Sequence, residues 1–286
     1  MNFLHWGERM QRKVSRWQTF KRFCKRNMTR EWAAHFSYQV ITFILSVCIV
    51  IVVADYAVNK TYAERTLKFV DGFTVTAHSG CLDTPENSME SLQAAVQSGV
   101  DIVEFDLRQS FDGTLVLSHD IVVSEASCVT LEEAFDYLLD KKVQINVDVK
   151  EVRTLSALHT MVYRYGLEDR VFLTGIGTGD VDNVRADCPG IDYYLNYSPS
   201  RVKIFFSDYQ QKLLAVMQES GAVGINCNYK YACATLSNLL HDNGYKLSVW
   251  TVDSQKTMKR ILVCSPDNIT TKHPDRLREI INTWDA

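Results

Sequence analysis

The hydrophobic and polar pattern divides the chain into a basic head, an apolar run and a long alternating body. Residues 40–54 read VITFILSVCIVIVVA, without charge, glycine or proline. With its apolar flanks the run reaches roughly 20 residues, the length that crosses a bilayer core. A buried helix of a soluble domain normally keeps a polar face, which this run lacks. A cleaved signal peptide is disfavoured because the basic head is long and no clear small-x-small site follows the run. We therefore predict a transmembrane anchor over residues 37–58.

Downstream of about residue 70, short β-branched runs alternate with segments whose apolar residues recur at the helical period. This pattern predicts eight strands, over residues 74–78, 102–107, 143–149, 171–174, 191–196, 223–226, 246–252 and 268–271. An additional extended segment, TLVLSHD, follows the turn FDGT after the second strand. Pro85 and Glu86 are expected to begin the first helix of the body, with Thr84 as its cap.

Strands that alternate with helices imply a parallel sheet. Eight such units predict a (β/α)8 TIM barrel over residues 70–286, and a doubly wound open sheet is the alternative. No GxGxxG or GxxxxGK[ST] follows a strand, so neither nucleotide-binding fingerprint is present. In a β/α barrel the active site lies at the C-terminal ends of the strands, so functional residues are expected at these positions.

Charge separates the head from the body. The net charge is −3, but residues 1–36 carry nine Lys or Arg against two Glu, leaving 22 basic and 32 acidic residues downstream. Because Lys and Arg in short flanks stay in the cytoplasm, we predict a single-pass cell-membrane protein with residues 1–36 inside and the barrel outside. Trp6, Trp17, Phe20 and Phe23 suggest that the head lies on the inner leaflet or binds a partner. No nucleic-acid partner is expected.

Six of the eight cysteines follow the apolar run. An external domain permits disulfides, but a domain of this size does not need them. No CxxC or Cys/His zinc spacing is present. We interpret most of these cysteines as small buried hydrophobic residues and leave a disulfide open.

Acidic residues recur at the ends of two neighbouring strands. Glu104 and Asp106 are two residues apart and share one strand face, as do Asp148 and Lys150 on the next strand. Three carboxylates are the oxygen ligands that suit a hard divalent cation, Ca²⁺ or Mg²⁺. The alternative is a salt-bridged barrel core in which Lys150 and Arg108 neutralise the acids.

Two histidines stand beside these acids. His78 ends the first strand and His119 ends TLVLSHD. Imidazoles exchange protons near neutral pH. A cation, two histidines and Lys150 suit hydrolysis of a phosphodiester, in which the cation and Lys150 hold the phosphoryl oxygens. One histidine would take a proton from the nucleophile and the other would give one to the leaving oxygen.

These motifs together resemble the glycerophosphodiester phosphodiesterases. The matching pieces span residues 74–279 in the family's order and read AHSG, TPENS, EFDLR, FDGTLVLSHD, NVDVK, VWTVD and ITTKHPD. The resemblance implies a β/α barrel that cuts a small or lipid-derived glycerophosphodiester into glycerol 3-phosphate and an alcohol. It places metal carboxylates at Glu104, Asp106 and Asp148, the last usually Glu in the family, and acid/base histidines at His78 and His119.

Ser79 departs from the family, which normally has Arg between the equivalents of His78 and Gly80. The resemblance therefore places Ser79 at a phosphate contact, where a hydroxyl cannot replace a guanidinium. Lys150 or Arg108 would then supply the charge, or the metal would hold the phosphate, or the activity would be weak or altered.

Other positions are expected to support the site. Gly80 lets the backbone approach it, Asn87 ties the loop to it, and Glu86 is a further supporting residue. Trp250 falls where the family places an aromatic wall, with a core tryptophan as the alternative. The short segment after His119 leaves little room for an insertion that caps glycerol.

Two other functions remain open at the level of sequence. Without the family arginine, the barrel could be a catalytically idle binding module anchored to the membrane. A relative of the spider-venom-type phospholipases D would instead form a cyclic phosphate. Fold analogy alone does not decide among these possibilities.

Overall fold

The computed structural model describes residues 17–22, 29–63, 65–122 and 128–284. The chain divides into two compact units, with the boundary near Thr61. In the first, helix α1 (Arg30–Ala63) includes a stretch, Arg30–Val58, whose mean hydropathy of 2.5 and length suit a membrane span. Its side chains are not buried against other parts of the chain. The predicted span, residues 37–58, lies within this helix. Such length and composition are found in membrane anchors and in signal sequences alike.

The basic head is described only in part. Residues 17–22 are helical, and the rings of Trp17 and Phe20 stack at 5.9 Å. Trp6 and Phe23, which the sequence analysis singled out, lie outside the described residues.

The second unit is a closed parallel barrel, which confirms the predicted fold and excludes the open sheet. Eight strands follow one another around it, and pairing of the first strand with the second closes the circle. A further strand, β3 (Leu115–Leu117), pairs antiparallel with β2. The barrel strands are β1 (Thr74–Ala77), β2 (Ile102–Gln109), β4 (Gln144–Val149), β5 (Val171–Ile176), β6 (Tyr193–Asn196), β7 (Gly224–Asn228), β8 (Lys246–Trp250) and β9 (Asn268–Thr271).

A helix follows each barrel strand. In chain order the helices are α2 (Met89–Gln97), α3 (Leu131–Leu138), α4 (Leu155–Tyr165), α5 (Val181–Asp187), α6 (Ser207–Ser220), α7 (Ala234–His241), α8 (Gln255–Leu262) and α9 (Pro274–Asn282). The expected start of the first helix at Pro85 is wrong. Asn87 has φ 56°, which no helix tolerates, and the helix begins at Met89 with the Ser88 side chain capping it.

Alternation along the strands separates core from site. In β2, Phe105 and Leu107 are fully buried and belong to the hydrophobic core. Glu104 and Asp106, between them along the chain, point to the opposite face, the barrel interior. The helix α3 packs its own apolar face on this core, and its start is fixed by a capping box between Thr130 and Glu133.

The described cysteines are all free. Cys81, Cys188, Cys227 and Cys264 are buried, as expected of small hydrophobic residues. The segment after His119 is described only in part, because residues 123–127 lie outside the described residues. The expectation about a missing insertion there stays a prediction.

Candidate active site

A cavity of about 520 Å³ opens at the C-terminal ends of the barrel strands. It is lined by side chains from strand ends and the loops behind them, among them His78, Glu86, Glu104, Asp106, His119, Asp148, Lys150 and Trp250. Another cavity, of about 490 Å³, is lined by Thr74, Gln144 and Lys246, at the opposite end of the strands. Because catalysis in β/α barrels takes place at the C-terminal face, we place the candidate site in the first cavity.

Three carboxylates meet in this cavity. Asp106 and Asp148 are direct neighbours in the register of β2 and β4. One oxygen each of Glu104, Asp106 and Asp148 lies within 4.8 Å of the other two. The Lys150 Nζ lies 2.8 Å from Asp106 Oδ1 and 2.6 Å from Asp148 Oδ2. Three acids against one ammonium leave an excess of negative charge, so the donor set suits a hard divalent cation.

The carboxylates differ in their protonation. Burial raises the pKa of Glu104 to about 7; the charge of His78 opposes this shift, and Asp106 and Asp148 reinforce it. Burial would also raise the pKa of Asp106, but the charge of Lys150 and a hydrogen bond from Asn87 lower it below its usual value. The cluster therefore combines one carboxyl that titrates near neutrality with a neighbour that stays charged.

Asn87 holds Asp106 from the loop after β1. Its Nδ2 donates to Asp106 Oδ2 at 2.8 Å, and its Oδ1 accepts from the Asp106 backbone N–H at 3.0 Å. Both polar atoms of the amide thus bond to Asp106, Nδ2 to its carboxylate and Oδ1 to its backbone N–H. Asn87 itself has a left-handed backbone conformation.

Ser79 lies in the loop after β1, beside the carboxylate cluster. The residue is only 2% exposed, and it does not line the cavity. Its Oγ accepts the Asn87 backbone N–H at 2.5 Å, and its own N–H donates to Glu104 Oε2 at 2.8 Å. The hydroxyl oxygen therefore accepts a hydrogen bond within the loop, and Ser79 is not among the residues that line the cavity. Ser79 braces two residues of the site instead.

Gly80 follows with φ 77°, a conformation that favours glycine. A Cβ at this position would lie 2.7 Å from Cγ of Glu86. The close approach therefore brings Glu86, which lines the cavity, against the loop backbone. Glu86 in turn pairs with Lys272 Nζ at 2.5 Å, a cation that the sequence analysis did not consider.

The two histidines are both at the cavity. His78 Nδ1 lies 2.7 Å from the Ser79 carbonyl oxygen, which can only accept, so Nδ1 carries the proton and Nε2 is left for proton exchange. Burial lowers the pKa of His78, but Glu104, the Ser79 carbonyl and Asp106 outweigh it and raise the pKa above its usual value. His119 Nδ1 lies 2.9 Å from Asp120 Oδ1 in a more exposed position.

Arg108 is not brought to the cavity. Its Nε donates to the His119 carbonyl oxygen at 2.8 Å, and one terminal nitrogen lies 2.6 Å from Glu151 Oε1. These bonds hold the guanidinium in the loop behind the site. Trp250, at the end of β8, does line the cavity, and its indole N–H is buried without a described partner.

Two functional positions on β5 escaped the sequence analysis. Thr174 Oγ1 lies 2.9 Å from Asn146 Oδ1 and 3.2 Å from Asp148 Oδ1. Gly175 has φ 81°, and a Cβ there would lie 2.6 Å from Asp148 Oδ1. The register of β5 and β6 is irregular at this point. The signal in the sequence is faint: a Thr-Gly pair at the end of a predicted strand.

A barrel with acid–base side chains and a carboxylate cluster around its C-terminal cavity defines an enzyme of the hydrolase type. The family model of the glycerophosphoryl diester phosphodiesterase family matches residues 78–180, which contain both histidines and all three carboxylates. Over the part of the chain that carries the candidate site, the sequence is therefore similar to this family, which supports its assignment as a phosphoric diester hydrolase.

Individual relatives extend the similarity to the whole barrel. The glycerophosphodiester phosphodiesterase of Caldanaerobacter subterraneus subsp. tengcongensis is 24% identical over 244 residues, covering 72% of this chain and 97% of the relative. The Parabacteroides distasonis glycerophosphodiester phosphodiesterase structure has a TM-score of 0.61 at 21% identity, covering 76% of this chain and 99% of that one.

A further solved structure contains a product. It is a phosphodiesterase from Oleispira antarctica in complex with sn-glycerol-3-phosphate, with a TM-score of 0.62 at 19% identity, covering 76% of this chain and 98% of that one. At these identities the solved structures establish the fold.

Proposed function

We propose that this chain hydrolyses glycerophosphodiesters, or related lipid or wall-polymer phosphodiesters, to glycerol 3-phosphate and an alcohol, in a metal-dependent reaction. The observation that carries the proposal is the meeting of three carboxylates and two histidines in one cavity of a barrel whose sequence is similar to this family. The glycerol 3-phosphate complex of the Oleispira antarctica relative supports the same product class.

Glu104, Asp106 and Asp148 would hold the divalent cation, Ca²⁺ or Mg²⁺. The donor chemistry fits, because all three offer carboxylate oxygens and Lys150 Nζ already sits between two of them as a positive charge. When bound, the ion supplies a positive centre that polarises the phosphoryl oxygens. Asn87 and Ser79 keep two of the carboxylates in place through their hydrogen bonds.

The remaining steps belong to side chains of the chain itself. His78 and His119 exchange the two protons of the reaction, one from the nucleophile and one to the leaving oxygen. Lys150 remains cationic, because burial lowers its pKa less than Asp148 and Asp106 raise it, and it offers positive charge to a phosphoryl oxygen. Trp250 forms an apolar wall for the substrate.

The reaction is proposed to take place outside the cytoplasm. Helix α1 would anchor the protein in the cell membrane, with the basic head in the cytoplasm and the barrel on the other side. The apolar stretch within α1 and the basic residues before it support this orientation.

The test is release of glycerol 3-phosphate from glycerophosphocholine by the full chain in detergent, with added Ca²⁺ or Mg²⁺ and with a chelator. We expect turnover only with metal. The variant His119→Ala should bind metal with unchanged affinity and lose turnover, whereas Glu104→Ala should lose both. A protein that binds metal and turns over no phosphodiester contradicts the proposal.

The same assay separates the alternatives. A catalytically idle binding module would be indifferent to loss of His78 and His119. A phospholipase D-like enzyme would release a cyclic phosphate, which phosphorus NMR distinguishes from glycerol 3-phosphate.

A further inference from the structure

The most exposed apolar side chains of the barrel lie in two parts of the chain, one after β2 and one after β6. Among the described residues of this unit, five large apolar side chains expose between 61% and 78% of their surface, and the next, Leu139, exposes 49%. The five are Phe111, Ile121, Val202, Phe205 and Phe206. Single exposed apolar residues are ordinary on a protein surface, but three of them within residues 202–206 mark a candidate interaction surface.

All five lie in loops on the side where the candidate active site opens. Phe111 is in the turn between β2 and β3, beyond the C-terminal end of β2. Ile121 follows the cavity residue His119 by two positions. The other three belong to the connection from β6 to α6, which begins directly after the cavity residue Asn196.

That connection is held firmly by its own contacts. Ile204 is buried, and its carbonyl oxygen accepts from Gln210 Nε2 at 2.8 Å. The Ser200 N–H donates to the Tyr209 hydroxyl at 2.8 Å. Phe205 and Phe206, beside the buried Ile204, are thus displayed on a fixed backbone, and the barrel covers neither of them.

Basic residues accompany these apolar tips. Arg201 and Lys203 are both exposed and flank Val202. Arg65 lines a small cavity, of about 280 Å³, together with Arg201 and Phe205. Arg65 belongs to the first residues of the barrel unit. Apolar tips with adjacent Arg and Lys are the chemistry of segments that insert into the headgroup region of a bilayer.

We propose that the segment of residues 201–206, with Phe111 and Ile121 as further contacts, docks the barrel on the surface of a phospholipid bilayer with the catalytic cavity facing it. The docking itself does not depend on the proposed function, but its consequence for catalysis does. If the barrel is a phosphodiesterase, its substrates would be phosphodiesters at the membrane surface, such as lysophospholipid headgroups. A second copy of the chain is the competing occupant of the same surface.

The test uses the barrel alone, residues 65–286. The fragment is expected to fold without the rest of the chain, because 97% of the Caldanaerobacter relative matches 72% of this chain. The fragment should sediment with phosphatidylcholine vesicles, and more strongly when they contain phosphatidylglycerol. The double variant Phe205→Ser/Phe206→Ser should reduce this binding by about tenfold or more, because two aromatic side chains no longer insert. Position 206 is the N-cap of α6, where serine is a favoured residue.

Matched controls separate docking from folding and from catalysis. Leu139→Ser/Tyr163→Ser removes two exposed apolar side chains, one directly after α3 and one on α4, and should leave vesicle binding unchanged. Arg201→Glu/Lys203→Glu should abolish the gain from phosphatidylglycerol. All variants should hydrolyse soluble glycerophosphocholine at the unmodified rate, whereas the phenylalanine variant should lose turnover of lysophosphatidylcholine in vesicles.

Two results would overturn the docking surface. One is a fragment that ignores vesicles or loses binding equally in the Leu139 and Phe205 variants. The other is a concentration-dependent dimer that Phe205→Ser/Phe206→Ser dissolves, which would assign the surface to a second copy. Vesicle binding requires no turnover, so an inactive barrel would refute the proposed function and still decide this question.

Discussion

At the scale of single residues, the candidate site depends on where the proton of Glu104 resides. Burial raises the pKa of this carboxyl to about 7 in the metal-free protein. Below pH 7 a cation must therefore displace a proton, whereas above pH 7 it meets a carboxylate that is already charged. We expect affinity for Ca²⁺ or Mg²⁺ to fall about tenfold per pH unit as the pH drops below 7, and to level off above it.

Calorimetric titration of the full chain with metal, between about pH 5.5 and 8, measures this dependence. Glu104→Gln is the control, since an amide of the same size does not titrate and should bind weakly at every pH. Affinity that follows the same pH curve in both proteins would show that another group controls it.

Asn87 is expected to act on the proposed metal site through Asp106. The variant Asn87→Ala removes both side-chain bonds to Asp106 but leaves every carboxylate in the chain. Partners that orient metal ligands typically contribute about 10-fold to 100-fold in affinity, and we expect a loss in that range. Asn196→Ala provides a matched control, because Asn196 lines the same cavity and, in the described part of the chain, its side chain accepts a hydrogen bond from Asn226 and none from a carboxylate ligand. Equal losses in the two variants would mean that Asn87 matters for folding alone.

At the scale of elements, the end of β5 shapes the site by leaving space. Gly175 approaches Asp148 and Val149 so closely that a Cβ would lie 2.3 Å from the Val149 carbonyl oxygen. Gly175→Ala should therefore destabilise the barrel by about 3 kcal/mol or more and push Asp148 away from the cluster, weakening metal binding.

Gly166, at the end of α4, is the matched control for this variant. Its φ is 64°, similar to that of Gly175, but nothing lies within 4 Å of its added Cβ. Gly166→Ala should cost only about 1 kcal/mol through backbone strain and leave metal affinity unchanged. Urea unfolding and metal titration of both variants test the difference, and similar free-energy losses would contradict the steric argument.

The elements also show what periodicity can and cannot predict. Strand runs such as residues 102–107 and 143–149 were recoverable because the apolar alternation and the β-branched residues persist through each strand. The start of α2 could not be predicted from periodicity, because the left-handed backbone of Asn87 depends on its bonds to Ser79 and Asp106. These partners are distant in sequence or set by the loop, so no local pattern records them.

At the scale of the whole molecule, the sequence predicted the grouping of His78, Glu104 and Asp148, because a barrel brings every strand end to one face. It did not predict which nearby polar residues turn away. Ser79 and Arg108 are polar residues of types that could contact a phosphate. Ser79 instead forms hydrogen bonds with Asn87 and Glu104, and Arg108 forms an ion pair with Glu151. The hydrogen bonds of the folded chain are needed to distinguish residues that line the cavity from residues that hold the lining residues in place.

The division of the chain near Thr61 leads to the last prediction. The relatives consist almost entirely of the barrel, so the fragment of residues 65–286 should fold alone and hydrolyse glycerophosphocholine at the rate of the full chain. The full chain should resist alkaline extraction from membranes because of α1, whereas the fragment should be released. Melting curves, turnover and fractionation of the two proteins measure these outcomes.

The same pair of proteins tests the orientation. If Lys and Arg keep residues 1–36 in the cytoplasm, protease added to intact cells should degrade the barrel and spare the basic head. An epitope at each end of the full chain reports both results in one experiment. Protection of the barrel would reverse the topology, and a mature chain that begins after the apolar run would identify that run as a cleaved signal rather than an anchor. In either case the turnover of the fragment stays informative, because it depends on the barrel alone.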